Sequence, residues 1–65
     1  MTGRDAESIA HELRTPLSVI TGYAELLALR DDDETRIEAA ARISEAAARL
    51  GTLVDELAAS AAQRA

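Results

Sequence analysis

Two apolar repeats with a period of seven residues constrain the fold of this chain more than any other feature. The first comprises Ala10, Leu17 and Ala24 with Leu13, Ile20 and Leu27, and the second comprises Ile43, Leu50 and Leu57 with Ala40, Ala47, Val54 and Ala61. Residues spaced three and four apart share one face of an α-helix, so each repeat predicts a helix with an apolar seam. The sequence therefore predicts an all-α antiparallel hairpin in which the second seam faces the first.

The hairpin is predicted as one domain over residues 1–65, with helix 1 at about 5–29, a turn at about 30–33 and helix 2 at about 34–62. Asp5 suits the cap of helix 1. The run Asp31-Asp32-Asp33-Glu34 predicts a solvated turn that caps helix 2, although Thr35 also begins a capping-box pattern. The run lacks the glycine and ligand alternation of a calcium loop, so no metal is expected. Residues 1–4 and 63–65 are predicted to fray.

Pro16 lies inside the first repeat, which continues in phase across it. Proline in a helix interior costs about 3 kcal/mol because it removes a hydrogen bond and crowds the preceding turn. The unbroken phase favours one continuous helix that is kinked at Pro16. The alternative is a second short helix that begins at Pro16, with Thr15 as its cap.

One hairpin covers each seam on one side only, which predicts a homodimer. A chain of 65 residues without cysteine has a small core and no disulfide to support it. Two hairpins related by a twofold axis would enclose the seams in a four-helix bundle.

The charge pattern excludes several classes of partner. The net charge is −5, with seven arginines and no lysine, which disfavours nucleic acid. The sequence contains no apolar run of about 20 residues, which a membrane span would need, and no recognisable signal peptide. The lack of cysteine suits a location in the cytoplasm. A longer protein that contains this domain could still be anchored in a membrane. Arg36, Arg42 and Arg49 are expected to be solvated or paired with nearby acids such as Glu38, Glu45 and Asp55.

The single histidine, His11, is predicted to point away from the core. Leu13 marks the centre of the apolar stripe on a helical projection, and His11 lies roughly 160° from it. Thr15, Ser18 and Gly22 lie beside His11 on the same face. This projection disfavours a hydrogen-bonded core histidine. A solvated histidine without a role remains an alternative.

The residues around His11 carry a resemblance to a known family. His11-Glu12-Leu13-Arg14-Thr15-Pro16-Leu17 resembles the phospho-acceptor box of sensor histidine kinases, the HisKA family of two-component signalling. The similarity continues to Leu27 and resumes weakly over residues 49–57. The resemblance implies a dimeric helical hairpin in which His11 accepts the γ-phosphoryl group of ATP. A response regulator receiver domain would then take this group on an aspartate.

The resemblance also implies roles for the neighbours of His11. Glu12 would orient the imidazole and act as base, and Thr15 would position water for dephosphorylation of the regulator. Arg14 would contact phosphate. The alternatives are that Glu12 and Arg14 are ordinary solvated side chains and that Thr15 only caps the backbone near Pro16.

Partners are expected on the same side of helix 1. Val19 and Leu26 lie roughly 120–140° from the centre of the stripe, so they are predicted to be exposed. The alternative is that the core extends beyond this stripe and covers them. With Ser18, Gly22 and Tyr23 they form the predicted docking patch for a receiver domain. The 65 residues contain no Gly-rich phosphate loop, so ATP and Mg²⁺ are expected on a separate catalytic domain.

Two other classes of function stay open from the sequence. The chain could be a stand-alone phosphotransfer protein that is phosphorylated by a receiver. It could also be a structural dimerisation hairpin in which His11 is inert.

Overall fold

A computed structural model of the chain describes residues 5–64, with side chains to residue 63. It contains two helices, α1 (Ala6–Leu29) and α2 (Asp33–Arg64), which pack side by side. The connection has only three residues, so the helices are antiparallel, and the predicted all-α hairpin is confirmed. The predicted fraying of residues 1–4 and of residue 65 lies outside the described residues. Among the described residues, neither helix is sufficiently long and apolar for a membrane span.

Helix α1 begins at a polar cap and continues through proline. The Asp5 carboxylate accepts a hydrogen bond from the Ser8 N–H at 2.9 Å, which satisfies one of the amides at the helix start. Pro16 lies inside α1 and is buried, so the alternative of a second helix capped by Thr15 is wrong. Burial of the pyrrolidine ring offsets part of its cost to the helix. The kink at Pro16 stays a prediction.

Helix α2 begins after a carboxylate cap at Asp32. The Thr35 N–H and hydroxyl both donate to the Asp32 carboxylate, at 2.9 and 2.8 Å. Thr35 is therefore in the first turn of α2 and does not cap it, so the capping-box alternative is wrong. Residues 63 and 64, which were predicted to fray, are helical.

The contact between the helices is displaced from the predicted seams. The buried side chains are Ile9 and Pro16 on α1 and Thr35, Ala39, Ala46 and Leu53 on α2. Leu13 and Ile20 of the first seam and Ile43, Leu50 and Leu57 of the second are partly buried, and the other members are exposed, including Leu17 at 51% and Val54 at 53%. The expectation that the two seams face each other is therefore wrong for the single hairpin.

The displacement has a geometric reason. In a bundle each helix touches two neighbours, so its seam points between them and each neighbour covers one flank of the seam. A hairpin supplies one neighbour, and only the flank that faces it is covered. The uncovered columns contain Ala10, Leu17 and Ala24 on α1 and Ala40, Ala47, Val54 and Ala61 on α2.

Candidate functional site

His11 is exposed, as the helical projection predicted. It lies in the second turn of α1, and Ile9 and Pro16 define the opposite, buried side of the same helix. The imidazole is thus presented to solvent from a rigid element while the core holds that element in place. A side chain in this position can meet a reactant that approaches from outside the hairpin.

Glu12 is tied to the other helix by an ion pair. Its Oε1 accepts a hydrogen bond from Nη2 of Arg49 at 2.8 Å, across 37 residues of sequence. The Glu12 side chain is 39% exposed and that of Arg49 is 51% exposed, so the pair lies at the rim of the contact between the helices. The carboxylate of the residue that follows His11 is therefore held at the edge of the contact between the helices by a charged partner.

The two helices form a groove next to this pair. The groove has a volume of about 460 Å³, and residues of both helices line it: Glu12, Thr15, Pro16 and Val19 from α1, and Arg42, Glu45, Ala46 and Arg49 from α2. Its lining contains apolar side chains and four charged side chains. Thr15 is exposed and lies one helical turn beyond His11. The structure thus brings Glu12 and Thr15 together in one groove, whereas His11 is not among the residues that line it.

Another depression lies on the other flank of α1. It has a volume of about 390 Å³ and is lined by Arg14, Leu17, Ser18, Thr21, Gly22 and Glu25. Arg14 is exposed there and is not among the residues that line the groove with Glu12 and Thr15.

The predicted docking patch is distributed over the width of α1. Ser18 and Gly22 line the depression on the other flank, whereas Val19 lines the groove between the helices and is half-buried. Tyr23 is also half-buried, and its hydroxyl donates to Glu38 Oε2 at 3.3 Å. Leu26 is 37% exposed. The expectation that Val19 is exposed is therefore wrong, and the alternative of a wider core is correct at this position.

Two arginines of α2 pair with nearby acids, as predicted. Arg42 pairs with Glu45 at 3.0 Å, and this carboxylate raises the pKa of the Arg42 guanidinium. Arg36 pairs with Asp31 and Asp33 at the helix start.

Arg49 is the residue of the site that sequence reasoning missed. Its pairing with Glu12 has no local signal, because the two residues lie on different helices and the expected partners were nearby acids of α2. The turn offered an indirect signal, because antiparallel helices pair residues symmetrically about it. Glu12–Arg49 and Tyr23–Glu38 are both symmetric about a point between residues 30 and 31.

Residues 5–64 contain no cluster of three or more histidine, cysteine, aspartate or glutamate residues that could hold a metal ion. The acidic run at the turn instead has helix-capping and arginine-pairing contacts. Asp32 caps α2, and Asp31 and Asp33 bind Arg36.

Comparison with known proteins gives two matches. The family model described as His Kinase A (phospho-acceptor) domain, HisKA, matches residues 6–64. The sensor histidine kinase TrcS of Mycobacterium tuberculosis is 52% identical over an alignment of 50 residues, and the match covers 74% of this chain and 10% of TrcS. The chain therefore spans about a tenth of the length of that relative. No solved structure matches the chain.

Proposed function

Because the chain belongs to the His Kinase A phospho-acceptor family, we propose that His11 accepts the γ-phosphoryl group of ATP and passes it to a response regulator. The observation that carries this proposal is the exposure of the only histidine, on the side of α1 opposite the buried Ile9 and Pro16. The chain would act as the dimerisation and phosphotransfer domain of a two-component sensor histidine kinase.

The proposed reaction forms one bond and breaks one bond. A neutral imidazole is a good nitrogen nucleophile near pH 7. One ring nitrogen of His11 bonds to the γ-phosphorus, and the bond from that phosphorus to the bridging oxygen breaks. ADP leaves with the electron pair of the broken bond. The other ring nitrogen then carries a proton on a positively charged ring.

Glu12 is the carboxylate that we assign to this proton. A carboxylate near the second ring nitrogen would select the tautomer, stabilise the developing positive charge and accept the proton. Successive residues on a helix project about 100° apart, so the contact with His11 depends on the rotamer of Glu12.

Thr15 has a proposed role in dephosphorylation of the response regulator. Its hydroxyl is exposed one turn from His11, where it could orient a water that attacks the aspartyl phosphate of a docked regulator. That attack forms inorganic phosphate and restores the aspartate carboxylate. Arg14 would contact the phosphoryl group from the other flank of α1.

The remaining components come from other domains. ATP and Mg²⁺ would be held by a separate catalytic domain, and a receiver domain would dock on Ser18, Val19, Gly22, Tyr23 and Leu26. The requirement for ATP favours the cytoplasm as the location of the reaction. A second copy of the hairpin would cover the exposed columns that contain Leu17 and Val54.

Labelling with radioactive ATP tests the proposal. The chain is incubated with a separately supplied histidine kinase catalytic domain, and acid-labile label is expected on the wild type and absent from His11→Gln. The Thr15→Ala variant is expected to accept label normally and to lose dephosphorylation of the regulator.

Other outcomes of the same experiment would overturn the proposal. Phosphate that arrives only from a phosphorylated receiver would identify a phosphorelay protein. An intact dimer that takes label from neither source would identify a structural hairpin. Label that persists in His11→Gln would place the acceptor elsewhere.

A further inference from the structure

The structure points to Arg49 as a positioning residue for phosphoryl transfer, and we propose that it holds the Glu12 carboxylate in place for its work on His11. This inference rests on the proposed function. It concerns a residue outside the segment around His11, on the other helix.

The contact itself is the first argument. Nη2 of Arg49 donates to Oε1 of Glu12 at 2.8 Å, a length typical of a charge-assisted hydrogen bond. A glutamate side chain has several rotamers, and a partner that binds one oxygen restricts them. A restricted carboxylate has fewer positions to search before the reaction, which is how preorganised groups accelerate chemistry.

The choice among the arginines is the second argument. Arg42 lines the same groove and is similarly exposed, but its guanidinium binds Glu45 on its own helix. Arg14 is only two residues from Glu12 in sequence, yet it lines the depression on the other flank of α1. Of these three arginines, Arg49 is the one that reaches Glu12.

The location on α2 is the third argument. A partner on the opposite helix ties the position of Glu12 to the packing of the hairpin. Displacement of α2 along α1 by one helical turn, about 5.4 Å, would take Arg49 out of reach. The reactive face of α1 is therefore completed by a residue that only correct packing brings to it.

The test measures the rate of His11 labelling by a supplied catalytic domain at varied concentrations of the chain. Arg49→Gln is expected to lower kcat by about 10- to 100-fold, a range reached when a reactive group is misplaced, with little change in KM. Arg49→Lys is expected to restore part of the rate. Arg42→Gln is the matched control, because Arg42 lines the same groove and has a similar exposure, and it is expected to react like the wild type.

Two further variants separate positioning from a structural role and from direct contact with phosphate. The double variant Glu12→Gln with Arg49→Gln is expected to be no slower than Glu12→Gln alone, since Arg49 acts through Glu12. Additive losses would instead make Arg49 a direct ligand of the phosphoryl group. The charge-exchanged variant, Glu12→Arg with Arg49→Glu, is expected to fold and to remain inactive. Recovery of activity in it would show that only the ion pair matters.

The inference and the proposed function fail in different ways. A wild type that takes no label contradicts the proposed function. A wild type that labels normally, together with an Arg49→Gln variant of equal or higher rate, contradicts only the role of Arg49. Circular dichroism and thermal unfolding of each variant confirm that the compared proteins are folded.

Discussion

Gly22 shows how a single residue can carry information about a partner. It lies in the interior of α1, and a Cβ built on it would meet no atom within 4 Å apart from its chain neighbours and the backbone of its own helix. Glycine destabilises a helix interior by about 1 kcal/mol relative to alanine. Positive φ occurs at no glycine among the described residues, so the backbone does not require it. Close approach of a partner to this surface would explain its presence.

Replacement of this glycine tests the docking patch. Gly22→Ala is expected to raise the Tm by about 4–8 °C, because about 1 kcal/mol is gained in a domain of this size. We also expect it to slow phosphotransfer to the receiver by about tenfold, which corresponds to ~1.4 kcal/mol. Tm and transfer rate are measured on the same preparation at one protein concentration.

Gly51 provides the control for this change. It lies in α2, its surroundings are equally open, and it is outside the docking patch. Gly51→Ala should raise the Tm similarly and leave transfer unchanged. Equal transfer rates for both alanine variants would show that the receiver does not dock closely over Gly22.

At the scale of the element, the start of α2 depends on the charge of one carboxylate. The hydrogen bonds from the Thr35 hydroxyl and N–H, with a smaller contribution from Arg30, hold the pKa of Asp32 below its usual range. The folded state therefore favours the ionised carboxylate. This contribution to stability is present above the pKa of an aspartate in the unfolded chain, about 3.9. It is lost as the pH falls through the lower pKa that Asp32 has in the folded state.

Acid unfolding of a neutral cap variant measures this contribution. The Tm of the wild type is expected to fall as the pH is lowered below about 4. Asp32→Asn keeps a side-chain acceptor for the helix amides but does not titrate, so its Tm should fall less steeply. Asp55→Asn, a change in the middle of α2, serves as the control and should follow the wild type. Identical slopes for the wild type and Asp32→Asn would contradict the assignment.

At the scale of the whole molecule, the hairpin leaves apolar surface that a second copy would cover. Leu17 and Val54 belong to the predicted seams and are 51% and 53% exposed. Burial of such columns is the main source of stability in a bundle, at about 25 cal/mol for each Å² of apolar area. Ile37, also on α2, is 70% exposed but is not a member of the seam.

A charge placed in the seam is expected to separate the dimer. Val54→Glu should give the mass of a monomer by light scattering at concentrations where the wild type is a dimer, because burial of an unpaired carboxylate is costly. Ile37→Glu is the matched change outside the seam and should leave the mass unchanged. A dimeric Val54→Glu variant would show that the seam is not the dimer interface.

The sequence by itself determined the two helices, the cap at Asp5, the continuity of α1 through Pro16 and the outward direction of His11. These features follow from contacts within a few residues and from the period of 3.6 residues per turn, which are local properties of the chain. The family was also recognisable in the seven residues from His11 to Leu17.

Only the tertiary structure decided which flank of each seam is buried, that Val19 turns into the groove, and that Arg49 binds Glu12. These contacts depend on the exact offset and rotation of α2 against α1. A shift of one or two residues at the turn would present different side chains to Glu12, whereas the periodicity of each helix would remain the same. The pairing across 37 residues therefore had no counterpart in the local pattern from which the rest was derived.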